Sequence, residues 1–244
     1  MARLLVPVDS CSEAFELAPL LRACRDAGWQ VDVAWFGDDA ALEQARALGL
    51  PQPARRQTPP PDQPTAVRYA AAATFAADLI DLTPPLAVVT CGHGAIALAA
   101  GSVCHAEGLP VVRVGAGQRS HAPRDRAERR RRAADHAASH WCVTTDRQRQ
   151  ELLREGLAEP HVPVVGSLLP AALTAFGKPA PVQPFVWLAL EHPVHDADPA
   201  ALRDLLAAVA AAATTLGLPV HAAAPGLAAA LERHGIPLPA AVAL

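Results

Sequence analysis

The sequence predicts an α/β fold built on a parallel sheet, and three observations carry that reading. Short β-branched runs alternate with Ala- and Leu-rich stretches of helical period, the pattern of successive βαβ units. Gly28, Gly49, Gly108 and Gly156 stand just past four of the helical stretches, where a left-handed residue closes a helix. Proline-rich segments at 51–64 and 176–184 interrupt the alternation.

The elements follow in order. "RLLVPV" is a strand and 13–27 a helix; "VDVAWF" is a strand and 39–48 a helix. The segment "PQPARRQTPPPDQP" carries six prolines, so it reads as a surface loop, neither helix nor central strand. "LAVVTC" leads to a helix over 95–107, and "LPVVRV" to one over 124–139. "HWCVTT" then precedes a helix over 146–156, and "HVPVVG" closes the series as a further strand. The first 175 residues therefore form one doubly wound domain, and 176–184, "FGKPAPVQP", is a linker. Residues 185–244 begin a second α/β unit: "FVWLAL", a helix over 199–216, "LPVHAA", a helix over 226–234, and a third strand at "AVAL". About 60 residues is roughly half the usual size of such a domain.

Composition excludes several classes. Hydrophobic residues make up 51% of the 244 and charged ones 18%, so the chain is long and apolar enough to bury a core and is no disordered tail. With 24 acids against 21 Lys plus Arg, the net charge of -3 excludes a polyanion-binding surface spread over the whole chain. The five cysteines are odd in number and contain no C-x-x-C pair, so they suggest neither a disulfide framework nor a zinc site and fit a reducing cytoplasm. No signal-like or membrane-spanning apolar run is expected.

Several short stretches invite a functional reading. "VVRVGAGQRS", 111–120, runs from a strand into a Gly-rich turn that presents Arg119 at the strand's carboxyl end. "RDRAERRRR", 124–132, holds six arginines in nine residues; Asp125 and Glu128 interrupt it and no aromatic platform accompanies it, so it reads as a solvated helix face and no nucleic-acid partner is expected. "EHPVHD", 191–196, has His192 and His195 three apart, but Pro193 makes this a turn that cannot aim both rings at one ion, so no metal is expected. His93, just past Cys91 at a strand's carboxyl end, sits where open α/β sheets bind ligands. "CGHG" lacks the serine of a nucleophile elbow, and Gly-rich phosphate loops are absent.

Four pieces in register resemble the non-hydrolysing UDP-N-acetylglucosamine 2-epimerases. "VVRVGAGQR" is similar to the family's strand ending H-x-E-A-G-x-R, and "RAERRRRAAD" to its P-E-E-x-N-R-x-x-x-D. "VTTDRQRQELLREGL" followed by "VPVVGSLLPAAL" resembles the P-T strand, L-x-x-E-G helix and V-x-G-N-x-x-x-D-A-L. "DSCSEAFELAPL" resembles G-T-R-P-E-A-x-K-x-A-P-L, and "VWLALEHPVH" more faintly the strand ending T-x-H-R. The resemblance implies a GT-B-like fold: a complete Rossmann-like N-terminal domain with a parallel sheet, then a shortened second Rossmann-like unit. It implies an isomerase that removes the C2 proton of a UDP-sugar, eliminates UDP and adds it back, with no cofactor, and dimerisation through the first domain.

Carried over residue by residue, the resemblance implies a depleted site. The acid of H-x-E-A-G-x-R falls on Gly115 and its histidine on Arg113, while Ala116, Gly117 and Arg119 match. The aspartate of the family's H-G-D falls on His93. In P-E-E-x-N-R the first acid falls on Ala127, the second on Glu128 and the arginine on Arg131, with Asp135 four residues later. The arginine of G-T-R-P-E-A falls on Cys11, and Glu13 is retained. The histidine of T-x-H-R falls on Glu191, one place from His192. The expected proton-transferring residues are then His93 and Glu128, and the expected ligand-binding residues Ser10, Glu13, Gly117, Arg119, Arg131 and His192.

Glycine and alanine transfer no protons, and one positioned acid or base is worth roughly 10² to 10⁴ in rate. The expectation is therefore a cytoplasmic, degenerate epimerase-like protein that takes a UDP-sugar and has lost epimerase activity. A divergent active enzyme, a non-catalytic nucleotide-sugar-binding or dimerising protein, and a remnant without ligand are the readings to separate.

Overall fold

A computed structural model of the chain describes residues 2–60, 62–176, 183–190, 198–223 and 226–243. Two compact units divide between Lys178 and Pro179.

In the first unit, β1 (Arg3–Val8), α1 (Cys11–Asp26), β2 (Gln30–Phe36), α2 (Asp39–Ala47) and β3 (Arg55–Gln57) make one half. The other half is α3 (Thr65–Leu82), β4 (Ala87–Thr90), α4 (Ala95–Ala106), β5 (Val111–Ala116), α5 (Arg126–His136), β6 (His140–Val143), α6 (Asp146–Arg154) and α7 (Leu169–Phe176). The six strands lie in the order β3-β2-β1-β4-β5-β6, every pair parallel. Strand order reverses between β1 and β4, and ligands of doubly wound sheets bind outside the carboxyl ends of the strands at that point.

Both faces of the sheet are covered. Successive side chains of a strand point to opposite faces. Leu5 joins Phe36, Val88, Phe75, Ile96 and Trp141 in one core, while its neighbours Leu4 and Val6 join Val33, Trp35, Leu17 and Leu21 in the other. Helix starts are fixed by side-chain acceptors: Ser10 for α1, Asp38 for α2, Asp125 for α5, and a Thr145–Gln148 capping box for α6. Gly28, Gly49, Gly108 and Gly156 all have positive φ just beyond helices, as expected.

The structure corrects several expectations. Helix α3 was not anticipated, because its start offers no side-chain cap, its first turn no acid and its last turn no base; Ala72, Phe75, Ala76, Leu79 and Ile80 nonetheless bury one face. The loop expected over 51–64 contains the three-residue edge strand β3, paired with β2 from Ala34–Arg55 to Phe36–Gln57. The strand expected at "HVPVVG" is reduced to one bridge between Val143 and Val164, because Pro163 lacks an amide donor and Val164 and Val165 are exposed. Helix α5 is also shorter than expected, starting after its Asp125 cap and ending at His136.

The second unit contains β7 (Val186–Ala189), α8 (Pro199–Leu216), β8 (Val220–Ala223), α9 (Leu227–His234) and β9 (Val242–Ala243) in a parallel sheet ordered β7-β8-β9. Its core gathers Leu202, Leu206, Ala213, Val220, Leu227 and Leu231. Against the expectation of no spanning run, α8 is long and apolar enough to cross a membrane by length and composition alone. It carries Arg203 and Asp204 and packs Leu202 and Leu206 into that core.

Candidate functional site

A cavity of about 390 Å³ opens at the carboxyl ends of β1, β4 and β5. The β1–α1 junction gives it Asp9, Ser10, Ser12, Glu13 and Glu16. The turn after β4 adds Cys91 through Gly94, β5 adds Arg113 to Gly115, and Gln118 and Arg130 complete the wall. These residues meet only because β1, β4 and β5 are adjacent at the switch point.

Carboxylates dominate the floor. Asp9 accepts from the Ile96 N–H in the first turn of α4 at 3.3 Å. Glu13, fixed by the first turn of α1, accepts the Asp9 N–H at 3.2 Å. Burial raises the Asp9 carboxyl above the usual carboxylate range, against the pull of the Ile96 amide and Arg68. Burial, then repulsion from Asp9, raises Glu13 further. Glu16 accepts from the Cys91 thiol at 3.7 Å, and burial together with Glu16 and Glu13 pushes that thiol up. Glycines make the room: a Cβ on Gly92 would collide with Glu13 and one on Gly94 with Asp9.

Cations stand opposite. Arg113 is only 2% exposed; its Nε donates to Asp135 at 3.2 Å and its Nη2 to the Gly92 carbonyl, while Nη1 is buried without a partner. His93 is held neutral to lower pH than usual, by burial first and then by Arg131, Arg113 and Arg130.

Of the residues expected from the sequence, Ser10, Glu13 and His93 line this cavity. Arg119 does not, because its side chain is 1% exposed and forked onto Glu155 at 2.8 and 2.7 Å, with Nη1 on Asp135 at 2.8 Å. Glu128, also 1% exposed, accepts from the Ser120 N–H at 2.8 Å and Oγ at 3.1 Å, from Arg132 at 3.0 Å and from Arg131 at 3.4 Å. Burial works to raise its carboxyl, but those donors outweigh it and bring it down to about 2. Arg131 is committed to Glu128 and Asp125, and its neighbour Arg130 reaches the cavity instead. Gly117, with φ 77°, turns the chain where a Cβ would sit 2.5 Å from the Gln148 carbonyl oxygen, and its N–H donates to Asp135 at 3.1 Å. His192 lies outside the described residues.

Sequence reasoning missed Asp9, Glu16, Arg113 and Arg130. The signal for Asp9 was its place at the end of the first strand, and for Arg113 an arginine in a strand flanked by valines that has to be buried. No group of three or more His, Cys, Asp or Glu among the described residues is arranged to hold a metal ion.

Sheet order places the first unit among the doubly wound α/β folds, and its cavity lies at the topological switch point. The chain belongs to the UDP-N-acetylglucosamine 2-epimerase family, which it matches over residues 39–234. Similar solved structures include S. aureus MnaA with UDP, at 17% identity and TM-score 0.85, covering 100% of this chain and 69% of that one. A putative UDP-N-acetylglucosamine 2-epimerase from Listeria monocytogenes shows 18% identity and TM-score 0.85, covering 96% and 66%. UDP-GlcNAc 2-epimerase from Neisseria meningitidis bound to UDP-GlcNAc shows 16% and 0.82, covering 98% and 71%. The chain thus shares their fold and spans about two thirds of their length. No curated protein sequence matches it.

Proposed function

We propose that this chain binds a UDP-sugar, with the sugar toward the cavity of β1, β4 and β5, and that it does not interconvert UDP-N-acetylglucosamine and its C2 epimer at an enzyme-like rate through His93 and Glu128. Membership of the family and the polar cavity at the switch point support the binding half. The observation that carries the second half is the closure of Glu128, whose carboxylate is filled by the Ser120 amide and hydroxyl and two arginines. A carboxylate held down to about 2 by four donors is a poor proton acceptor near neutrality. Gly115 and Ala127 carry no titratable group, which leaves His93 alone of the expected set.

All five cysteines are free, in keeping with a cytoplasmic protein. Dimerisation through the first unit and the absence of a cofactor belong to the same reading.

The test is a thermal-shift and calorimetric screen with UDP, UDP-N-acetylglucosamine and UDP-glucose, followed by incubation with the tightest ligand and chromatography for the epimer, free UDP and the unsaturated glycal. Saturable binding with no rapid conversion is the expected result. Turnover near one per second, abolished by His93→Ala, would restore His93 as the base and overturn the proposal.

A further inference from the structure

We propose that Asp9 and Glu13, with Glu16 beside them, are the groups of this cavity that exchange protons with a bound ligand. The proposal rests on the nucleotide-sugar reading and assigns the proton chemistry to residues of the β1–α1 junction, of which the resemblance names only Glu13, and that for ligand binding.

Three observations carry it. First, the acids and the glycines are complementary in space. Glu13 occupies the volume that any side chain at 92 would need, and Asp9 the volume of one at 94. Glu16 Oε1 lies 3.8 Å from where a Cβ on Gly115 would stand. Gly115, where the resemblance places an acid, therefore faces Glu16, and the two glycines flanking His93 face Glu13 and Asp9, all three delivered from the β1–α1 junction.

Second, Glu13 is buried, and Asp9, half-buried beside it, donates its backbone N–H to the Glu13 carboxylate at 3.2 Å. Burial raises both carboxyls, and repulsion from Asp9 raises Glu13 further, so the pair gives up its protons at higher pH than free carboxyls do. A pair of this kind presents one acid and one base at the same pH, which neither His93 nor Glu128 does.

Third, Arg113, at the wall of the cavity, keeps a donor that no protein group satisfies. Arg113 is 2% exposed, lines the cavity and leaves Nη1 without a partner. Buried donors are nearly always paired, so an unpaired guanidinium nitrogen beside an acid pair marks a place for a ligand oxygen.

On a UDP-sugar the step is balanced as follows. The ionised member of the pair takes the C2 proton, the C2–H electrons form the C1=C2 bond, and the C1–O bond breaks with its electrons leaving on UDP. Return of UDP to C1 and of a proton to C2 reverses it, and in D2O the returning proton is a deuteron.

The experiment incubates the wild-type chain and the Asp9→Asn and Glu13→Gln variants with UDP-N-acetylglucosamine in D2O. Binding is read by saturation-transfer NMR, folding by circular dichroism, and deuterium at C2 of either epimer by mass spectrometry. The expected result is binding and slow deuterium incorporation by the wild type, and a loss of about a hundredfold in incorporation by each variant compared at saturating ligand. Both variants are isosteric and remove a buried charge, so each reports separately if the other misfolds. Binding by the wild type without deuterium overturns this inference alone, as does incorporation undiminished in both variants. Failure of the wild type to bind overturns the nucleotide-sugar reading and this inference together.

Discussion

Arg119 lies in a fork with Glu155, its Nε and Nη2 donating to the two carboxylate oxygens at 2.8 and 2.7 Å. The same guanidinium reaches Asp135, so one buried cation joins the end of α5 to the end of α6. An arginine waiting for a ligand would be solvated, whereas this one has its charge answered within the protein. Removing it takes one of two buried cations from Asp135, which keeps only Arg113, and breaks the fork on Glu155. Arg119→Met should therefore cost about 3 to 5 kcal/mol in urea unfolding, against well under 1 kcal/mol for a solvated loop arginine. Arg119→Lys should fall between, since an ammonium cannot reproduce the fork.

Glu128 ties the turn before α5 to the helix itself, and its contribution is pH-dependent with a definite sign. Its folded carboxyl lies at about 2, below the ordinary 4.5, so the stabilisation is fully present above 4.5 and is lost as pH falls toward 2. Glu128→Gln should lower the melting temperature at pH 7 by the equivalent of about 3 kcal/mol, and the gap to wild type should close between pH 4.5 and 2. A gap that stays constant with pH would assign the loss to packing.

The Asp9–Glu13 pair runs the other way. Glu13 has a folded carboxyl above its ordinary 4.5, so the folded state is penalised progressively as pH rises past 4.5. Glu13→Gln keeps an acceptor for the Asp9 N–H and removes the charge. It should melt higher than wild type at pH 8, with the advantage shrinking as pH falls toward 4.5. Thermal melts at pH 5 and 8 would check the direction.

Gly117 and Gly108 both have positive φ, 77° and 70°, yet only Gly117 is hemmed in, by the Gln148 carbonyl 2.5 Å from its missing Cβ. Gly108→Ala should cost about 1 kcal/mol from backbone strain alone. Gly117→Ala should cost clearly more, about 3 kcal/mol, because the strand-to-helix turn must move off α6. Equal losses in denaturant titrations would show that the turn yields.

How much of this was legible beforehand depended on whether the signal was local. β1, β2, β4 and β5 announce themselves through β-branched runs, and the four helix-ending glycines through their spacing. Helix α3 escaped because an Ala-rich sequence of low contrast, begun by Pro64 without a side-chain cap, carries no boundary marks. The cavity was half legible: Ser10, Glu13 and His93 follow strands, and the switch point gathers whatever follows strands. Arg119 and Glu128 misled because an ion pair is invisible until both partners are placed, and Glu155 and Arg132 lie 36 and 4 residues away from them. Asp9 and Glu16 became visible only with the glycines that leave them room.

The short strand β3 has a consequence for the chain's behaviour in crowded solution. An open sheet ends in rows of unpaired amides and carbonyls, which template the addition of foreign strands. Here one border is three residues long, exposes Arg55 and Arg56, and is followed by Pro59 and Pro60. At the opposite border the Val143 N–H donates to the Pro163 carbonyl at 3.1 Å and its carbonyl accepts from Val165 at 2.9 Å. Fibril-like growth from this sheet is stopped at one side by charge and proline and at the other by a strap of the chain itself.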